Sequence, residues 1–145
     1  MTERKRGPKS RTRPNPRLID LPVPDVGRNF EDAHPVFCLR YLDPAFDVKS
    51  GALSHEQRGH FAERLQEMAS LSWKDLMVAP RHKQGFEWLP ASTLRSRLPE
   101  RFADEDRVMV FRYSGKLPMV GVRLNEVFHV LALEARFNDL YDHGN

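Results

Sequence analysis

Cys38 is the only cysteine, so the chain cannot close an internal disulfide, and a reducing compartment such as the cytoplasm is the expected location. A lone thiol of this kind is expected to be a packing group rather than a nucleophile. No apolar run approaches the roughly 20 residues that a membrane-spanning helix needs, so no membrane partner is expected. The first residues are charged and proline-rich with no apolar stretch behind them, which is unlike a secretory signal. A glycine-rich phosphate loop is missing, as is any nucleophile-elbow pattern. The six histidines, His34, His55, His60, His82, His129 and His143, are scattered without the spacing of a zinc signature. Neither a metal nor another cofactor is therefore expected.

Charge is unevenly placed. Residues 1–17 carry seven basic side chains against one acid, Glu3, whereas the whole chain is only +3. The remainder is thus net negative, and a broad basic face on the folded part is not expected. Prolines 8, 14, 16, 22 and 24 punctuate residues 1–33, which hold few large apolar residues. Such a segment buries too little surface to offset its ordering entropy. It reads as a disordered basic tail, with residues 34–145 forming one domain. Arg4, Lys5, Arg6, Lys9, Arg11 and Arg13 are candidate phosphate contacts, of a kind that carries no sequence information. A solubilising tail is the alternative.

The folded part shows clear periodicity. "HPVFCLRYLDP" (34–44) alternates as a strand, placing Val36, Cys38 and Arg40 on one side and Phe37, Leu39 and Tyr41 on the other. Residues 54–71 read as a helix. Ser54 and Gln57 form a capping-box pattern, and Phe61, Leu65, Met68 and Leu71 make an apolar stripe, with Glu63, Arg64 and Glu67 largely off it. Ser72 caps a second, short helix that Pro80 stops. Residues 81–106 are irregular, with a short strand at 86–88 and a turn carrying Leu94, Leu98 and Phe102 toward the sheet. Three strands come next, at 107–113, 119–124 and 127–133. The links between them are short, which requires an antiparallel meander. The last is apolar at nearly every position, as a strand covered on both faces should be. The fold class is α+β, a helical hairpin packed on a small twisted antiparallel sheet.

Phosphodiester cleavage in RNA needs less machinery than metal, phosphate-loop or triad chemistry. The ribose 2′-hydroxyl is the nucleophile there, so the protein need supply only a base, an acid and cations for the phosphoryl oxygens. Arg112, Arg123 and Lys116 are candidate cations. His129, Tyr141, His143 and His82 are candidate proton carriers. Structural roles compete at several positions: Arg112 and Arg123 as solvated strand residues, His129 as a hydrogen-bonded core histidine, Tyr141 as a packing residue, and His143 as part of a disordered end. Trp88 reads as a core anchor or a base-stacking ring.

Strand, helical hairpin, meander and polar tail, with "FRYSGKLPMVGVRLNEVFHVLALEARFNDLY" at the end, resemble the RelE/ParE superfamily of bacterial toxins over roughly residues 36–143. The resemblance implies a RelE-like fold. It also implies a metal-independent endoribonuclease acting on messenger RNA, commonly at the ribosome, in a bacterial or phage toxin–antitoxin pair silenced by an antitoxin protein. It points to Arg136 and Tyr141 as site residues; joined to the residue reading above, this has Arg123 and Arg136 binding the scissile phosphate and His129, Tyr141 or His143 moving protons. The lysine positions that such ribonucleases often carry before the turn are occupied here by Val108 and Val110, and Leu117 stands where an arginine is common. The other reading is a non-catalytic adaptor that binds protein or nucleic acid on the same scaffold.

Overall fold

A computed structural model describes residues 29–79 and 85–144. The basic residues at 4, 5, 6, 9, 11 and 13, and His82, lie outside the described residues. In order come β1 (Val36–Cys38), α1 (His55–Ala69), α2 (Trp73–Val78), β2 (Phe86–Pro90), β3 (Arg107–Ser114), β4 (Leu117–Leu124) and β5 (Val127–Leu133). Two single 3-10 turns, Ala91–Thr93 and Glu100–Phe102, lie between β2 and β3.

Both helices start where their caps dictate. Ser54 Oγ accepts from the Gln57 amide while the Gln57 side chain accepts from Ser54. Ser72 and Asp75 repeat the arrangement. Each box satisfies two donors that a helix start would otherwise leave open.

The sheet order is β1-β5-β4-β3-β2. The meander β3-β4-β5 is antiparallel, and β2 joins its far edge antiparallel. The expected all-antiparallel sheet is corrected at one edge. β1 runs parallel to β5, pairing Val36 with Val127 and Cys38 with His129, so the sheet is mixed. β5 lies between β1 and β4, and both its faces are apolar because a packed layer covers each: Phe128, Val130 and Leu133 on one side, Leu131 and Ala132 on the other. The strand expected over 34–44 is also shortened to three residues. The chain turns at 40–41, and the Asp43 amide then rejoins β5 by donating to the Leu131 carbonyl at 2.9 Å.

One face of the sheet packs α1 and α2 over Met109, Phe111, Met119 and Phe128. Trp73 is fully buried there. Arg64 corrects the expected stripe. It is 6% exposed, and its Nε donates to the Arg112 carbonyl at 2.8 Å, tying α1 to β3. Burial lowers its pKa, with Glu67 acting in the opposite direction. A guanidinium reaches over apolar surface with its stem while its planar head finds a carbonyl. The other face is covered without a long helix. Leu94, Leu98, Phe102, Leu140 and Tyr141 pack on Val108, Val110, Val120 and Leu131. Residues 29–33, expected to belong to the tail, dock on this domain: the Trp73 amide donates to the Ala33 carbonyl and Lys74 to Glu31.

A β-bulge decides which face the end of β5 presents. Val120 pairs with Ala132 but Gly121 pairs with Val130, leaving Leu131 as the extra residue. Phe128 and Val130 belong to the helix side; beyond the bulge Ala132 belongs to the opposite side and Leu133 to the helix side. An extra residue shifts the alternation by one and re-aims every side chain beyond it. Glu134 is thereby placed among the residues of the helix-free face.

Candidate active site

A cavity of about 370 Å³ opens on that helix-free face. The β2 and β3 positions Glu87, Leu89, Val110 and Arg112 form its floor; the β3–β4 turn contributes Lys116, and β4 contributes Pro118. The C-terminal segment closes the remaining side with Phe137, Tyr141, Asp142 and His143. Gly115 sits at φ 59 in the turn before Lys116, a conformation with no Cβ penalty for glycine.

The C-terminal segment is held in place by specific bonds. The Arg95 amide donates to the Leu140 carbonyl at 2.8 Å, and the Arg95 guanidinium donates to the Asn138 carbonyl. Asn138 is left-handed at φ 75, and its Oδ1 accepts the His143 amide at 2.9 Å. Asparagine tolerates that conformation better than most side chains. His143 lies between two rings, with centroids 4.1 Å from both Phe137 and Tyr141 at interplanar angles of 27° and 23°.

Glu134 stands behind the stack. It has no exposed surface; its Oε1 is 2.8 Å from His143 Nε2, and its Oε2 accepts the Leu140 amide at 2.9 Å. An ionised carboxylate can only accept, so against it the His143 Nε2 is the donor of this bond. The Tyr113 hydroxyl donates to the Glu134 carbonyl at 2.7 Å. Burial, and secondly the Glu134 charge, push the Tyr113 pKa well up, so this hydroxyl keeps its proton.

Four of the expected residues therefore meet at one cavity: Arg112, Lys116, Tyr141 and His143. Three do not. Arg123 is on the helix face, where its guanidinium lies 4.3 Å from the Trp73 ring centre and bonds Glu31 and the Asn125 carbonyl. His129 is buried nearer the β1 edge between Tyr41 and Phe102, and its Nδ1 has no hydrogen-bond partner among the described residues. Burial, then the nearby Arg101, lower its pKa. Arg136 is 85% exposed at its side chain and, among the described residues, pairs with Asp139 at 3.3 Å. Trp88 is on the helix face of β2, half-exposed, with Arg107 stacked 3.8 Å from its ring centre.

Sequence reasoning missed Glu134 and Phe137. A lone acid ending an otherwise apolar strand was the available signal for Glu134. Nothing in the spacing of Phe137 marks it.

Among the described residues no group of three or more His, Cys, Asp or Glu side chains is arranged to hold a metal ion, and no helix is long and apolar enough to cross a membrane. Searches of protein-family models, curated proteins and solved structures find no match to this chain.

Proposed function

We propose that this protein is a RelE-like endoribonuclease that cleaves single phosphodiester bonds in messenger RNA using side chains alone. One observation carries the reading: Arg112 and Lys116 line the same cavity as a histidine that a buried carboxylate holds at 2.8 Å. Cations that bind phosphate and a base of fixed orientation are the parts that RNA transesterification needs.

In the proposed reaction Arg112 and Lys116 hold the non-bridging phosphoryl oxygens. His143 Nδ1 takes the proton of the 2′-hydroxyl, and that oxygen attacks phosphorus. The bond from phosphorus to the 5′ oxygen breaks, and the Tyr141 hydroxyl donates a proton to the departing oxygen. The products are a 2′,3′-cyclic phosphate and a 5′-hydroxyl end; solvent returns the two transferred protons to their starting positions. Glu134 stabilises the imidazolium formed midway. An antitoxin that covers this cavity would silence the enzyme, and the negative balance of residues 18–145 would limit binding to RNA outside the cleft.

The test is direct. Single-stranded RNA is incubated with the protein in EDTA and the new ends are mapped. Cyclic phosphate ends that disappear with His143→Ala support the reading, together with growth arrest on expression that disappears with the same substitution. Intact RNA under these conditions overturns it.

A further inference from the structure

Phe137 has no task in the reaction just described, yet it is held at the mouth of the cavity. The residue is 43% exposed. His143 stacks on one face at 4.1 Å, which leaves the opposite face as the one able to take a second ring. The next residue, Asn138, is fixed in its left-handed conformation by the His143 amide and by the Arg95 guanidinium. This partly exposed ring lies at the same cavity as two cations, Arg112 and Lys116. Flat aromatic surface next to phosphate-binding cations suits an unpaired nucleic-acid strand, because every base offers a π face while the backbone follows the charge.

Resting on the reading of this cavity as an RNA site, we infer that the face of Phe137 opposite His143 stacks an unpaired nucleobase adjoining the scissile phosphate, so that the site takes single-stranded RNA and rejects duplex. In a duplex each base is already stacked on both faces, and the platform gains nothing without extruding it. Phe137 is then a specificity-determining residue. Its ring continues the Phe137–His143–Tyr141 stack outward by one base and sets the register of the phosphate against His143.

The experiment measures binding apart from cleavage. A short, fluorescently labelled 2′-O-methyl RNA is used, since a methylated 2′ oxygen cannot attack. Wild type binds the single strand and binds the same oligomer in duplex form weakly. Phe137→Ala weakens single-strand binding roughly 5- to 100-fold, the usual range for loss of one stacked base, and Phe137→Trp restores it. On an oligomer of the same length lacking all bases, wild type and Phe137→Ala bind equally. Equal affinity of wild type and Phe137→Ala for the base-bearing strand overturns the inference, as does an equal loss on the abasic strand or absence of binding. Cleavage of unmodified RNA is scored separately. RNA that stays intact while Phe137-dependent binding persists removes the nuclease reading and leaves the stacking site. Cleavage that is indifferent to Phe137 does the reverse.

Discussion

Glu134 Oε1 lies 2.8 Å from His143 Nε2, and the carboxylate that makes this bond has no exposed surface. The partner of its second oxygen is a backbone amide, that of Leu140. The acid therefore joins the end of β5 to the last turn of the chain and orients one ring in the cavity. Replacing Glu134 with Gln keeps the volume but offers His143 an amide. We expect RNA cleavage to fall by at least about 100-fold. The double variant with His143→Ala should be no slower than His143→Ala alone, because the two residues act as a unit. Additive losses in single-turnover rates would show that Glu134 acts elsewhere.

Arginines on the two faces should separate cleanly. The Arg112→Ala, Lys116→Ala pair is expected to abolish measurable cleavage while leaving the melting temperature unchanged. Arg123→Ala should do the opposite. It removes a guanidinium stacked on Trp73 and paired with Glu31, at a cost of about 1–2 kcal/mol in urea unfolding, with cleavage intact. Arg136→Ala, at an exposed pair, should change neither by more than a few-fold. A large loss of cleavage in either single variant would relocate the site.

Gly121 predicts a large packing defect. A Cβ there would overlap the His129 carbonyl oxygen and lie within 2.6 Å of Phe128 Cζ. Backbone on the partner strand cannot move aside without breaking the ladder. Gly121→Ala should destabilise by about 2–4 kcal/mol, read from the shift in the urea midpoint. A midpoint within error of wild type would show that β4 and β5 separate more easily than their register suggests.

His129 predicts a pH dependence of stability. Burial first, and the Arg101 charge second, lower its pKa in the folded state. The unfolded chain therefore binds the proton more readily below about pH 6.5. The contribution to stability is complete above that pH. It is lost as pH falls from about 6.5 toward the lower folded value, and below that value the loss stops growing. The groups facing the ring are Tyr41, Phe102 and Arg101, with Cys38 beside it in β1. None is a carboxylate that would offset the charge. His129→Leu should flatten the fall in thermal midpoint between pH 7.5 and 5.5. An unchanged slope would assign the effect to another group.

Much of the scaffold was legible because local rules set it. Ser54 with Gln57 and Ser72 with Asp75 fix the helix starts within four residues of sequence. The turn at Asn125-Glu126 is where the sequence places it, whereas the link expected over 114–118 tightens to Gly115-Lys116 because the next strand begins at Leu117. The parallel edge was not legible, since the pairing of Val36 with Val127 spans most of the domain and leaves no local mark. Of the expected site residues, strict alternation placed Arg112 correctly. The same rule carried past Leu131 would send Glu134 to the helix side, and only the bulge reverses it. Arg123, in turn, sits on the helix side because it alternates in step with Met119 and Gly121. A sequence can show that it is cationic, but not that α2 supplies an aromatic ring beneath it.

The β1–β5 pairing has a consequence for how the molecule assembles. The meander can zip through neighbouring residues alone, whereas β1 has to wait for a partner some ninety positions later to exist. A chain leaving the ribosome holds Val36–Cys38 unmatched until Val127–His129 emerges, and that three-rung seam is the shortest in the sheet. In the finished protein the order reverses: the seam is the natural first place for the structure to come apart, and its amides should be the earliest sheet protons to exchange with deuterium.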